Sequence, residues 1–186
     1  MMYARVAAAT LVLLAVAACS GGDPADGEPT TAGTPSASPS PTPTLAPPTI
    51  PPEAQEHSAD GAAAFVKYYV SLVNYAATSG DTTPLSSNAS SNCGSCTRLA
   101  DRYATIYRGG GSSENPKWAA NVTSSQLIDG AFFVTVDLST AAHRWRRTAD
   151  ARFTEVPAGR HADIYSVKWT GTNWTIDRLV PQEVPE

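Results

Sequence analysis

The sequence predicts an α+β domain over residues 57–186, with N-terminal helices packed on a curved antiparallel sheet of four to five strands. Two observations predict this class. Apolar residues recur with a helical period in the first half of this segment and with a period of two in the second half. Helices followed by a run of strands are typical of α+β folds, in which the helices cover one face of the sheet.

A first helix is predicted where apolar side chains recur three or four positions apart. We expect Asp60 to cap its start and Gly80 to end it in a left-handed conformation. The apolar positions of this stripe are Phe65, Tyr68, Tyr69, Leu72, Val73 and Ala76. A second helix is predicted from Cys93 to about Arg108, with Ser91 or Asn92 as its cap and a run of three glycines at its end.

The strands are predicted from alternating apolar residues. Asp129 and Gly130 are a hairpin signal between the first two strands. After this turn four apolar residues share one face, namely Phe132, Val134, Val136 and Leu138. A weaker strand is expected over Ala149 to Val156, and two further strands cover Tyr165 to Trp169 and Trp174 to Val180.

The N-terminus has the pattern of an export signal. A run of 13 residues from Val6 to Ala18 has one polar interruption, Thr10. As a helix it would reach about 20 Å, against about 30 Å for the hydrocarbon core of a bilayer. The run ends Val16-Ala17-Ala18-Cys19, which resembles the lipobox of bacterial lipoproteins. This resemblance implies a signal peptide at 1–18, two acyl chains on Cys19, and a location on the outer face of the cell membrane.

Residues 19–56 are predicted to be a disordered stalk that begins at the lipidated cysteine. Ten of the chain's 15 prolines lie in this segment, with Thr, Ser, Gly and Ala between them. Such a composition buries too little apolar surface to offset its ordering entropy. An extended polyproline conformation would let the stalk reach on the order of 100 Å.

Several short segments resemble a known family. They are Ala64–Tyr69, Asn74–Ala76, Ser79–Asp81, Pro84–Leu85 and Cys93–Cys96. They are similar to a family of actinobacterial lipoproteins with a domain of unknown function, and the order of elements resembles the NTF2-like (cystatin-like cone) architecture. The resemblance implies a secreted, lipid-anchored, cone-shaped domain. It carries over no catalytic residues.

Two cysteines remain when Cys19 is lipidated, and an even number outside the cell indicates a disulfide between Cys93 and Cys96. Their C-x-x-C spacing at a helix start leaves two interpretations open. The pair exchanges disulfides, or it is a permanent loop that fixes the entry into the second helix. Zinc needs about four ligands, and the three histidines are scattered, so we predict no metal and no cofactor.

The charge of the chain argues against nucleic acid as a partner, and one basic patch suggests an anionic partner. The net charge of −4 argues against nucleic acid. The dense basic patch around Arg144, Trp145, Arg146 and Arg147 is either a surface for an anionic partner or a solvated loop.

The aromatic residues are candidates for a ligand cavity, although such stripes more often form core. The candidates are Tyr68, Tyr103, Tyr107, Trp118, Tyr165 and Trp169. The residues suited to acid–base chemistry are Asp81, Asp101, His143, His161 and Asp163. Of these, His161 and Asp163 are two apart on a predicted strand and share a face, which is either internal or exposed to solvent.

The sequence therefore favours a lipid-anchored cell-envelope module without enzymatic activity, which binds a small apolar ligand or an envelope protein. Two alternatives stay open. One is an NTF2-like enzyme with an Asp or His as acid–base group in the cone, and the other is a disulfide exchanger that uses Cys93 and Cys96.

Overall fold

The computed structural model describes residues 45–182, which form three α-helices and seven β-strands. The predicted signal peptide, Cys19 and most of the predicted stalk lie outside these residues. The helices are α1 (Ala59–Ser79), α2 (Thr83–Ser87) and α3 (Gly94–Arg108). No helix within 45–182 is long and apolar enough to cross a membrane.

The strands form two antiparallel sheets. The main sheet has the order β2-β3-β6-β7, with β2 (Trp118–Ile128), β3 (Ala131–Thr140), β6 (Gly159–Trp169) and β7 (Trp174–Gln182). The small sheet has the order β1-β4-β5, with β1 (Gly110–Glu114), β4 (His143–Thr148) and β5 (Thr154–Val156). Helices packed against antiparallel sheets confirm the predicted α+β class.

The ends of the two long helices differ in part from the prediction. The N-cap of α1 is Ser58, whose Oγ accepts a hydrogen bond from the backbone N–H of Gly61 at 3.0 Å, so the expectation of Asp60 was wrong by two positions. Gly80 ends α1 with a φ of 78°, as predicted. A Cβ at this position would collide with the ring of Tyr107. The N-cap of α3 is Cys93, whose Sγ accepts from the backbone N–H of Cys96 at 3.3 Å.

The core lies between α1 and the main sheet. The hairpin turn at Asp129 and Gly130 has a φ of 50° and 77° at its two central residues, which are values of a type I′ turn. The face predicted for β3 is buried at all four positions, Phe132, Val134, Val136 and Leu138. Across from it α1 buries its own stripe, which includes Phe65, Tyr69 and Leu72.

The small sheet was not predicted. The glycine run ends α3 at Gly109, but Gly110 and Gly111 already belong to β1. The basic run at 143–148 is a strand rather than a loop, and the predicted strand at 149–156 is reduced to the three residues of β5. Alternation in β4 is carried by charged residues with one tryptophan, and an apolar pattern therefore does not reveal it.

The folded part of the chain begins before residue 57, where we expected it to begin. A short 3₁₀ helix at Pro52–Gln55 buries Ala54, and Ile50 packs against the core. The imidazole of His57 stacks on Trp169 with ring centroids 5.3 Å apart. The predicted stalk is therefore shorter at its C-terminal end, because its last residues have apolar partners on the domain.

Two long-range contacts fix the edges of the main sheet. The side chain of Asn74 on α1 accepts from the backbone N–H of Trp118 at 2.8 Å and donates to its carbonyl oxygen at 2.9 Å. At the opposite edge Ala89 pairs with Ile176 as a parallel bridge, and the Ser90 N–H donates to the carbonyl oxygen of Ile176 at 2.8 Å. Both edges are thus partly closed by segments from the helical half of the domain.

Candidate functional site: a cavity between α3 and the main sheet

A cavity of 330 Å³ lies between α1, α3 and the main sheet, and we call it the main cavity. Its apolar walls are formed by Val70, Val73, Leu99, Leu138 and Leu179, and Trp118 and Tyr165 add aromatic surface. Its polar residues include Arg98, Arg102, His161 and Asp163. Apolar walls with a few polar groups are the usual composition of a site for a small molecule.

A second cavity of 160 Å³ reaches the small sheet, and we call it the side cavity. It shares Arg102, Trp118 and His161 with the main cavity, and Tyr103 and Trp145 belong to its own lining. The two cavities therefore meet at these three shared side chains.

The most unusual polar group in the main cavity is the carboxyl of Asp163. Only 4% of the residue is exposed, and Nε2 of His161 lies 3.6 Å from its Oδ1. Within the described residues this oxygen is buried and makes no hydrogen bond. Burial raises the pKa of Asp163, and the nearby His161 opposes this shift. Burial also raises the pKa of Tyr165, with a further contribution from Asp163, so its hydroxyl stays protonated.

Strand β6 brings these groups together by simple alternation. His161, Asp163 and Tyr165 are two residues apart and all line the main cavity, so the expectation of a shared face is correct and the face is internal. His161 is the outermost of the three, with 37% of its side chain exposed, and its ring lies perpendicular to that of Trp118 with the ring centroids 5.9 Å apart. An imidazole backed by a carboxyl is an arrangement that can transfer protons to or from a ligand in the cavity.

The buried carboxyl gives a testable pH dependence. The folded state holds the Asp163 proton to higher pH than the unfolded chain, because burial raises the pKa. The stability that this proton contributes is present at low pH and is lost as the pH rises through the folded-state pKa. We therefore expect Asp163→Asn to unfold at a higher temperature than the wild type at neutral pH, with a difference that disappears in acid.

A control of opposite sign is available for this measurement. The hydrogen bond from Lys168 lowers the pKa of Asp177, so Asp177→Asn should be less stable than the wild type at neutral pH, again with no difference in acid. Thermal unfolding of the three proteins across pH tests both signs. Lower stability of Asp163→Asn at neutral pH would contradict the assignment.

Three of the six predicted cavity aromatics line the two cavities. Trp118 and Tyr165 line the main cavity, and Tyr103 and Trp118 line the side cavity. The other three line neither of these two cavities. Tyr107 points back to α1, where its hydroxyl lies 2.8 Å and 2.7 Å from the carbonyl oxygens of Ala77 and Thr78. Tyr68 lines a separate cavity of 620 Å³ against the N-terminal segment, and Trp169 packs between His57 and Trp174.

The predicted basic patch does not form one surface, because alternation along β4 sends its residues to two faces. Trp145 and Arg147 face a groove along α3. Arg144 binds Glu114 at 2.7 Å on the other face, and both Arg144 and Arg146 stack on the ring of Phe153. The guanidinium groups of Arg144 and Arg146 therefore already have contacts within the domain.

The other candidate acid–base residues lie elsewhere. Asp81 accepts from the Thr83 N–H at 2.9 Å in the turn before α2, and this bond lowers its pKa. Asp101 is exposed and lines neither the main nor the side cavity. His143 lines the side cavity, and its Nδ1 lies 3.0 Å from the carbonyl oxygen of Ala141.

Cys93 and Cys96 form a disulfide with a Cα–Cα distance of 5.2 Å. Their exposed fractions are 0% and 3%. Thiol–disulfide exchange needs an accessible sulfur, so this burial favours the structural interpretation over the exchanger. Among residues 45–182 no group of three His, Cys, Asp or Glu side chains is placed to hold a metal ion.

A family model described as a family of unknown function, DUF6318, matches residues 33–179. The chain belongs to this family. The resemblance to a family with a domain of unknown function is therefore confirmed, whereas lipid anchoring and actinobacterial origin stay predictions. The family match begins 24 residues before position 57.

Among solved structures, the chain is similar to the intermembrane space region of the chloroplast protein ARC6. The TM-score is 0.53 at 13% identity, over 69% of this chain and 99% of the other. Similarity at this level shows the fold alone. No curated protein matches the sequence.

Proposed function

We propose that the family member described here is a lipid-anchored cell-envelope protein whose domain binds a small, largely apolar ligand in the main cavity. The observation that carries the proposal is the composition of that cavity. Five aliphatic residues and two aromatic ones surround 330 Å³, which lies at the lower end of the range for small-molecule sites. The predicted anchor and stalk would hold this cavity outside the membrane.

The cavity is tested with a neutral apolar dye, N-phenyl-1-naphthylamine, on residues 19–186 carrying Cys19→Ala, so that neither the apolar signal segment nor an attached acyl chain competes. We expect the dye to bind, and the cavity-filling change Leu99→Trp to weaken binding at least about tenfold, or about 1.4 kcal/mol. The matched control is Leu127→Trp at the exposed end of β2, where 61% of the residue is accessible. Equal binding by both variants would contradict the proposal, once thermal unfolding shows that both are folded.

The anchor has its own test. The wild type should sediment with membranes after salt and carbonate washes, and Cys19→Ala should be released into the soluble fraction. A Cys19→Ala protein that still sediments would show that something other than an acyl anchor holds the chain.

A second candidate function is acid–base catalysis, which the placement of His161 and Asp163 in the same cavity favours. In an enzyme, His161→Gln would abolish turnover and leave dye binding intact. Incubation of cell-envelope extracts with wild type and variant, followed by mass spectrometry, separates the two functions. A product that appears only with the wild type supports catalysis, and identical extracts support binding alone.

A further inference from the structure

Two arginines on α3 line the main cavity without an acidic partner. Arg98 and Arg102 are one helical turn apart, and both side chains are exposed to solvent where they line the cavity. Like charges at this spacing repel and destabilise a helix by a few tenths of a kcal/mol.

Asp101 is adjacent to this pair on α3, but within residues 45–182 it forms no ion pair with either arginine. Arg98 donates to the hydroxyl of Ser95 at 3.0 Å, and Arg102 lies 5.7 Å from the ring centroid of Trp145. Neither forms an ion pair within residues 45–182, although Arg144 and Lys168 do. The carboxyl that shares their cavity, Asp163, is buried beside His161. Apart from the Arg98 bond to Ser95, the donors of both guanidinium groups are therefore available to a ligand.

The surface next to the pair is apolar. Leu99 lies between the two arginines along α3 and also lines the cavity, as do Leu138 and Leu179 from the main sheet. A ligand in contact with all of these residues would place an apolar body against the leucines and an acidic group on the guanidinium groups. Arginine matches carboxylate and phosphate through paired N–H donors.

We infer that the ligand of the main cavity is a single-chain amphiphile with an anionic head, bound by Arg98 and Arg102, an inference that rests on the proposed binding function. The volume of 330 Å³ suits one acyl chain rather than the two of a bilayer phospholipid. The disulfide between Cys93 and Cys96 closes the first turn of α3, just before Arg98.

The test compares three ligands with the same chain length on the Cys19→Ala protein, by displacement of N-phenyl-1-naphthylamine. They are dodecanoate, dodecanol and dodecyltrimethylammonium, at about pH 8, where carboxylates are ionised. We expect dodecanoate to bind at least about tenfold more tightly than dodecanol, or about 1.4 kcal/mol, and the cation to bind most weakly. The preference should decrease as salt is added, because both guanidinium groups are exposed.

Variants test whether Arg98 and Arg102 account for the preference for the anionic ligand. Arg98→Gln combined with Arg102→Gln should remove the preference for the anion and retain dodecanol binding. The control is Arg160→Gln. Arg160 is exposed and next to His161 but does not line the cavity, so this variant should retain the preference. Equal binding of dodecanoate and dodecanol by the wild type would overturn this inference and leave the proposed function intact. Absence of dye binding would overturn both, and preferential binding to two-chain anionic vesicles would overturn the choice of a single-chain ligand.

Discussion

Replacement of Phe65 by alanine is expected to lower the free energy of unfolding by about 3–5 kcal/mol, which is the usual cost of removing a fully buried phenyl ring. The residue is 0% exposed and belongs to the cluster that joins α1 to the main sheet. Close packing prevents neighbouring side chains from filling the space left by the ring. Urea unfolding, monitored by circular dichroism, measures the loss.

Phe133→Ala is the matched control for this change. Phe133 follows the buried Phe132 on β3, and alternation places it on the outer face, where it is half-buried. We expect it to cost about 1 kcal/mol. A loss as large as that of Phe65→Ala would show that the outer face of the main sheet also carries core packing.

Asn74→Ala is expected to lower the free energy of unfolding by about 2–4 kcal/mol, because it removes two hydrogen bonds at once. The N–H and carbonyl of Trp118 would both lose their partner at the edge of the main sheet. Since Trp118 lines both cavities, the same change should also weaken dye binding. Urea unfolding and dye titration on the same protein measure the two effects.

Thr78→Ala serves as control on the same helix. Thr78 is exposed, and its hydroxyl bonds only to the carbonyl oxygen of Asn74 within α1. We expect a change within about 0.5 kcal/mol and unaltered dye binding. If Asn74→Ala were equally mild, water would have to replace the amide at the sheet edge, and the positioning of Trp118 would have another cause.

The helices and the β2–β3 hairpin could be predicted because their signals are local. Gly80 and the Asp129–Gly130 turn have positive φ values that few residues accept, and the apolar face of β3 alternates without interruption. The small sheet gives no such signal. Inward-facing Trp145 is flanked by arginines, and their partners, Glu114 and Phe153, lie about 30 and 10 residues away. Tertiary contacts decide the conformation of such a strand.

The candidate site could be predicted only in part, for a related reason. Periodicity indicates which face of an element is buried but not which element covers it. The sequence therefore does not distinguish Trp118 and Tyr165, which line the main cavity, from Trp169, which packs on His57. The spacing of Arg98 and Arg102 on α3 is visible in the sequence, but their role in the cavity is not. The significance of the pair depends on Asp101 and the other described acids forming no ion pair with it, which sequence cannot show.

The bridge between Ala89 and Ile176 has a consequence for the order of folding. It brings the segment between α2 and α3 onto the last strand, and the adjacent contact of Ser90 with Asp177 spans 87 positions. Pairings so distant along the chain slow folding, because the entropy of loop closure is lost before the contact forms. The helices emerge first during synthesis and cannot dock at this edge until β7 has been made. The domain is therefore expected to fold only after β7 has been made, on a millisecond-to-second rather than microsecond timescale.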